Sequence, residues 1–135
     1  MIQKFVLETT LHPEESVSLH KARGLETKIS VNTEGKHTHA HTPVETVIGA
    51  LGSCLIINTQ RFFKAKELNF KDIKMTLNGY RDPSIPKLVK IEYFMKIETN
   101  ETINLDELKE FISKKSTTYR TLEDSVEIVG EIEKI

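Results

Sequence analysis

Residues 42–68 place the tightest limit on what this chain can become. Thr42-Pro43-Val44-Glu45 sets a hydroxyl at a helix N-cap, proline at the first helical position and glutamate at the third. The threonine hydroxyl and the glutamate carboxylate can satisfy two of the free N–H groups that a helix start leaves open, and proline has none to lose. The pattern predicts a helix to about Leu68, with Lys64 and Lys66 against the negative end of its dipole. Its first half is apolar nearly all round, through Val44, Val47, Ile48, Leu51, Leu55, Ile56 and Ile57. Such a helix is expected to be covered on several sides. Gly49, Ala50, Gly52 and Ser53 interrupt it; the glycines cost helix propensity, which close approach by another backbone or a ligand would offset. One small sheet cannot cover a helix of this kind. Either the sheet wraps it or a second copy of the chain packs against it, and the second solution, a homodimer, is preferred.

Strand-like patterns surround the helix. Alternation marks residues 2–10, 15–22 and 25–32, with Val17/Leu19 and Ile29/Val31 as inward pairs and Pro13 and Gly24 as turn signals. Two longer alternating runs, 71–79 and 87–98, flank a turn over 79–86 that contains two prolines. Asn104 to Lys115 reads as an Asn-capped second helix with Leu105, Leu108, Phe111 and Ile112 on one face. A helical turn over 117–123 and a last strand over 125–133 complete an α+β order. A length of 135 residues with 38% apolar and 29% charged side chains suits a single domain over 1–135. A net charge of −1 with interleaved signs argues against nucleic-acid and anionic-membrane partners, which need a concentrated basic face. The N-terminus has no leader pattern and the apolar stretch 47–57 is too short to span a bilayer, so a cytoplasmic protein is expected. The single cysteine leaves no partner for an intrachain disulfide.

That cysteine, Cys54, is the first candidate for chemistry. A free cysteine commonly serves as a small buried hydrophobe. Here Gly52, Ser53 and Asn58 leave room beside the thiol. Mid-helix placement gives it no help from the N-terminal dipole, so a cation would have to lower its pKa. The arginines are Arg23, Arg61, Arg81 and Arg120; Arg61 is seven residues on, near the same face but about two turns away. Glu45 falls on the opposite face of the helix from Cys54 and could serve only a thiol on an antiparallel partner helix; the capping box already accounts for it. His37, His39 and His41 would share one face of an extended segment, a possible Zn²⁺ or Ni²⁺ cluster, although no acidic or cysteine ligand stands beside them. No phosphate-binding glycine loop, nucleophile-elbow serine or H-E-x-x-H is present, and nothing calls for an organic cofactor.

T-P-V-E-T-V-I-G-A-L-G-S-C, residues 42–54, resembles the cysteine-helix signature of the OsmC/Ohr family of osmotically inducible and organic-hydroperoxide-resistance proteins, a P-x-E-L-L-L-x-A-L-G-x-C stretch. Pro43, Glu45, Ala50, Leu51, Gly52 and Cys54 match at the same spacing. Tyr80-Arg81-Asp82-Pro83 is similar to a turn of that family, and Thr121-Leu122 with Val126-Glu127-Ile128 to its C-terminal end. The resemblance implies an OsmC-like fold and an intertwined homodimer, with the cysteine helices packed together and the sheets outside. It also implies thiol-peroxidase chemistry on organic hydroperoxides through Cys54. Ser116 stands where the family carries its second cysteine, so an external thiol would have to resolve the sulfenic acid. Val44 stands where hydroperoxide-reducing members carry glutamate, and Glu45 fits another branch. The family's thiol-activating arginine lies in the N-terminal hairpins, where Arg23 is the only arginine; Glu45 of the partner subunit would orient it. Two other readings stay open. One is a non-catalytic module in which Gly49, Gly52 and Ser53 line an apolar pocket at the dimer interface for a lipid-like molecule. The other is metal binding by the histidine run.

Overall fold

The computed structural model describes residues 1–135, which fall into two compact units, 1–47 and 48–135. In chain order the elements are β1 (Glu8–His12), β2 (Val17–Ala22), β3 (Leu25–Ser30), α1 (Pro43–Ala65), β4 (Asp72–Asp82), β5 (Lys87–Glu98), α2 (Leu105–Lys115), α3 (Thr117–Leu122) and β6 (Glu127–Lys134).

The first unit is an antiparallel meander, β1-β2-β3. Its second hairpin is closed by Arg23 and Gly24, both at positive φ (53° and 79°), the geometry in which a two-residue turn matches the twist of the strands it joins. The first strand starts at Glu8 rather than at residue 2, since the first seven residues find no neighbouring strand to pair with. Val17 is buried, whereas Val31 falls beyond the end of β3 and is exposed, so the expected inward pairing of Ile29 with Val31 does not form. The meander itself buries little apolar surface, and Phe5 is 82% exposed.

The second unit holds the main core. β5 is the central strand, antiparallel to β4 and parallel to β6. A parallel pair needs a crossover, and α2 and α3 supply it. Alternation along β5 sends Ile91, Tyr93, Met95 and Ile97 to one face, where they meet Leu51, Leu55, Phe62 and Phe63 of α1 and Leu108 and Ile112 of α2. The β4–β5 connection is shorter than its two prolines suggested, because β4 continues through a register shift at Tyr80/Arg81 to Asp82.

Helix α1 begins as its sequence dictates. The Glu45 N–H donates to the Thr42 hydroxyl at 3.1 Å and the Thr42 N–H donates to the Glu45 carboxylate at 2.8 Å, a closed capping box. It ends three residues before Leu68, at Ala65. Glu67 turns to φ 56°, its N–H donates to the Lys64 carbonyl and that of Leu68 to the Phe63 carbonyl, a Schellman stop built without glycine. Within the chain one face of α1 is buried; Ala50, Ser53 and Ile57 on the other are exposed, so the expected covering on several sides is not met by a single copy.

Candidate functional site

Cys54 lies in the middle of α1 and is half-buried, at the margin between the buried and exposed faces of the helix. The junction of α2 and α3 reaches it. Burial pushes the thiol up, yet hydrogen bonds from the Ser116 hydroxyl, the Thr118 N–H and hydroxyl, and the Thr117 N–H outweigh burial and bring it below the ordinary cysteine value. Each of these groups favours the charged sulfur, because a thiolate accepts hydrogen bonds more strongly than a thiol. Ser116 can donate because of its place in the fold. It is fully buried, ends α2 and caps α3, and its oxygen accepts the Tyr119 N–H at 3.1 Å, which leaves its hydroxyl hydrogen free to donate. From its own helix Cys54 is met by Asn58, whose Nδ2 donates to the Cys54 carbonyl at 2.9 Å and lies 3.9 Å from Sγ. Arg61 donates in turn to Asn58 Oδ1 at 3.3 Å. The site can therefore hold a thiolate in a setting that is part apolar and part hydrogen-bonding.

Sequence reasoning marked position 116 as the site of a missing sulfur and missed its hydroxyl as a donor. It also missed Thr117 and Thr118. Their signal was weak: Ser-Thr-Thr ahead of Tyr119 is a helix-cap pattern, and only folding brings the cap to the thiol.

The other candidates occupy varied settings. Glu45 is engaged in the capping box; bonding from the Thr42 backbone, then from its hydroxyl, holds its carboxyl below the usual range. Arg23 forms the tip of the β2–β3 hairpin in the first unit. All three side chains of the histidine run are exposed, and no group of three or more histidine, cysteine, aspartate or glutamate side chains converges in the chain. His37 instead pairs through Nδ1 with the Ser30 hydroxyl at 2.6 Å. After β3 the segment does not continue as a strand, so the period of two that would align the imidazoles is lost. Gly52 lies under Leu77, whose Cδ1 would stand 2.9 Å from an added Cβ, while Gly49 has open space beside it. Gly52 therefore admits a neighbouring strand's side chain.

A family model described as OsmC-like protein matches residues 33–130, a span that includes both Cys54 and the Ser116–Thr118 junction. The chain belongs to the OsmC-like family. The OsmC-like fold extends over its full length in comparison with solved structures. An OsmC-like protein from Mycoplasma pneumoniae aligns with a TM-score of 0.87 at 16% identity, covering 100% of this chain and 99% of the other. A hypothetical protein from Aquifex aeolicus VF5 aligns at 0.79 and 21% identity, covering 99% of both chains. The organic hydroperoxide resistance protein OsmC of Legionella pneumophila aligns at 0.69 and 12% identity, covering 98% of both. At these identities the likeness establishes the fold. No curated protein matches the sequence. No helix is long and apolar enough to cross a membrane.

Proposed function

We propose that this OsmC-like chain is a one-cysteine thiol peroxidase that reduces organic hydroperoxides. The observation that carries the reading is a half-buried Cys54 thiol that has Asn58 Nδ2 3.9 Å from its sulfur and the Ser116–Thr118 junction on its other side, which brings it below the ordinary cysteine value. Family membership and the hydroperoxide-resistance proteins among the structural relatives support it.

The Cys54 thiolate attacks one oxygen of the peroxide. A sulfur lone pair forms the S–O bond, the O–O bond breaks, and the departing alkoxide takes a proton to leave as alcohol. Cys54 becomes a sulfenic acid. With serine at position 116, an external thiol attacks the sulfenic sulfur, water departs and a mixed disulfide forms. A second external thiol attacks that disulfide, restoring Cys54 and releasing the reductant as its disulfide. Such thiols are plentiful in a cytoplasmic setting, which belongs to the same reading.

The working form in this reading is a homodimer in which residues 1–135 act as one domain. Ile57 is 45% exposed on the same helix as the thiol, and the apolar side chains of Phe5, Leu11 and Leu25 stand open in the first unit. A second copy would cover such surface, and its hydroperoxide site would lie at the interface between copies. Arg23 is the proposed activating cation, oriented by Glu45 of the partner subunit. A carboxylate has room for this role beside its cap, since its two oxygens offer about four lone-pair positions.

A second reading has support in the exposed apolar stripe of α1 and in the missing sulfur at position 116: a binding module for a lipid-like molecule, with Cys54 idle. One experiment separates them. Brief exposure to limiting cumene hydroperoxide, with dimedone present, should add one dimedone adduct to the intact mass of wild type and none to Cys54→Ser, faster than with hydrogen peroxide. A thiol that reacts no faster than free cysteine excludes the peroxidase and favours the binding module.

A further inference from the structure

In the body of α1 the helix dipole lends nothing to Cys54, so any charge that its own helix supplies must come on a side chain. Two side chains follow at helical spacing. Asn58, one turn on, is 1% exposed; its Nδ2 is anchored to the Cys54 carbonyl at 2.9 Å and stands 3.9 Å from Sγ. Arg61, three residues further, is exposed and donates through Nη1 to Asn58 Oδ1 at 3.3 Å. An amide nitrogen has two hydrogens, so one can hold the backbone carbonyl while the other faces the sulfur. The anchor fixes the rotamer of a buried side chain that would otherwise turn freely. A guanidinium on Oδ1 draws electron density from the amide nitrogen and makes it a stronger donor, an effect that grows away from water.

We propose that Asn58 and Arg61 form a relay that positions the Cys54 side chain and stabilises its thiolate. The inference rests on the reading of Cys54 as a reactive thiol and adds two positioning residues to it. The 3.9 Å separation suits a neutral thiol, and it shortens once the sulfur is charged, because charge-assisted hydrogen bonds are shorter and stronger. Ser116, Thr117 and Thr118, which act on the sulfur from the α2–α3 junction, are neutral, and Arg61, bonded to Asn58, adds a positive charge to this helix in addition to the one proposed for Arg23.

The test is the pH profile of Cys54 alkylation by iodoacetamide in wild type, Arg61→Gln, Arg61→Lys, Asn58→Leu and the double variant Asn58→Leu/Arg61→Gln. Arg61 is exposed, so its variants should fold as wild type even where loss of the buried amide unsettles the helix. The midpoint should rise in Arg61→Gln, slowing alkylation about threefold at neutral pH, and Arg61→Lys should recover part of the loss. In the Asn58→Leu background Arg61→Gln should change nothing further. A midpoint in Arg61→Gln equal to that of wild type overturns the relay. So does an equal shift with and without Asn58, which would make Arg61 a distant charge acting alone. Because iodoacetamide reports the thiol whatever the natural substrate, the expected shifts in a protein that ignores cumene hydroperoxide would support the relay while excluding the peroxidase.

Discussion

At the scale of single residues, the balance at Cys54 turns on one hydroxyl. Ser116 accepts from the Tyr119 N–H, and its hydroxyl is the leading group that lowers the thiol against burial, so one side chain serves α3 and the sulfur. Ser116→Ala removes both contributions. The thiol pKa should rise, and because only thiolate reacts, the alkylation rate should reach its plateau at higher pH than in wild type. At neutral pH the rate should fall by about three- to tenfold, and loss of the cap should cost about 1 kcal/mol in urea unfolding. Unchanged alkylation in a folded Ser116→Ala protein would show that the Ser116 hydroxyl does not set the thiol's reactivity and would leave that role to Thr117, Thr118 and Asn58. Ser116→Cys tests the same contact from the other side. A sulfur placed within bonding reach of Cys54 should trap its sulfenic acid as an intrachain disulfide, read as the loss of two hydrogens in intact mass after peroxide treatment. A persistent sulfenic acid would mean that the two positions do not approach closely enough.

At the scale of elements, caps and close contacts decide where the helices and strands lie. Local chemistry starts α1 and α2: Thr42 with Glu45, and Asn104, which accepts the Glu107 N–H at 3.0 Å. The strands depend on one another. On β6, Gly130 faces the buried ring of Tyr93 across the parallel β5–β6 pair, and an added Cβ would stand 1.9 Å from Tyr93 Cζ. With the central strand packed against two helices, that ring has no room to move. Gly130→Ala should therefore destabilise the second unit by about 2–3 kcal/mol, measured as a lower urea midpoint with an unchanged slope. A neutral result would mean that β6 can draw away from β5, and the crossover through α3 would then be looser than its contacts suggest.

At the scale of the whole molecule, exposed apolar surface is the feature that needs an explanation. Phe5, Leu11 and Leu25 in the first unit and Ile57 on α1 would be costly to leave in water. If a second copy covers the cysteine helix, sedimentation velocity should give twice the 15.4 kDa chain mass, and Ile57→Glu should shift the protein toward monomer without loss of helix content. A wild-type monomer would leave the apolar stripe to another partner and would remove the route by which Glu45 of the partner subunit meets the site.

Much of this was legible in the sequence because it is local. The capping box at Thr42, the Asn104 cap, the alternation along β5 and the spacing Pro43, Glu45, Ala50, Leu51, Gly52, Cys54 depend only on residues a few positions apart. They were enough to place the helices, the central strand, the thiol and the family. The histidines do not align on one face because that alignment presupposed a strand and β3 ends at Ser30, and the N-terminal strand was read too long because alternation cannot say whether a partner strand exists. Position 116 was legible only as a serine standing where the family has a cysteine. Its hydroxyl reaches the thiol because the α2–α3 crossover brings two segments about sixty residues apart to the same place, and no pattern along the chain encodes that distance. The relay through Asn58 and Arg61 lies between these cases. Helical spacing put all three residues near one face, but only the packed helix decided that the amide would be buried, anchored and turned toward the sulfur.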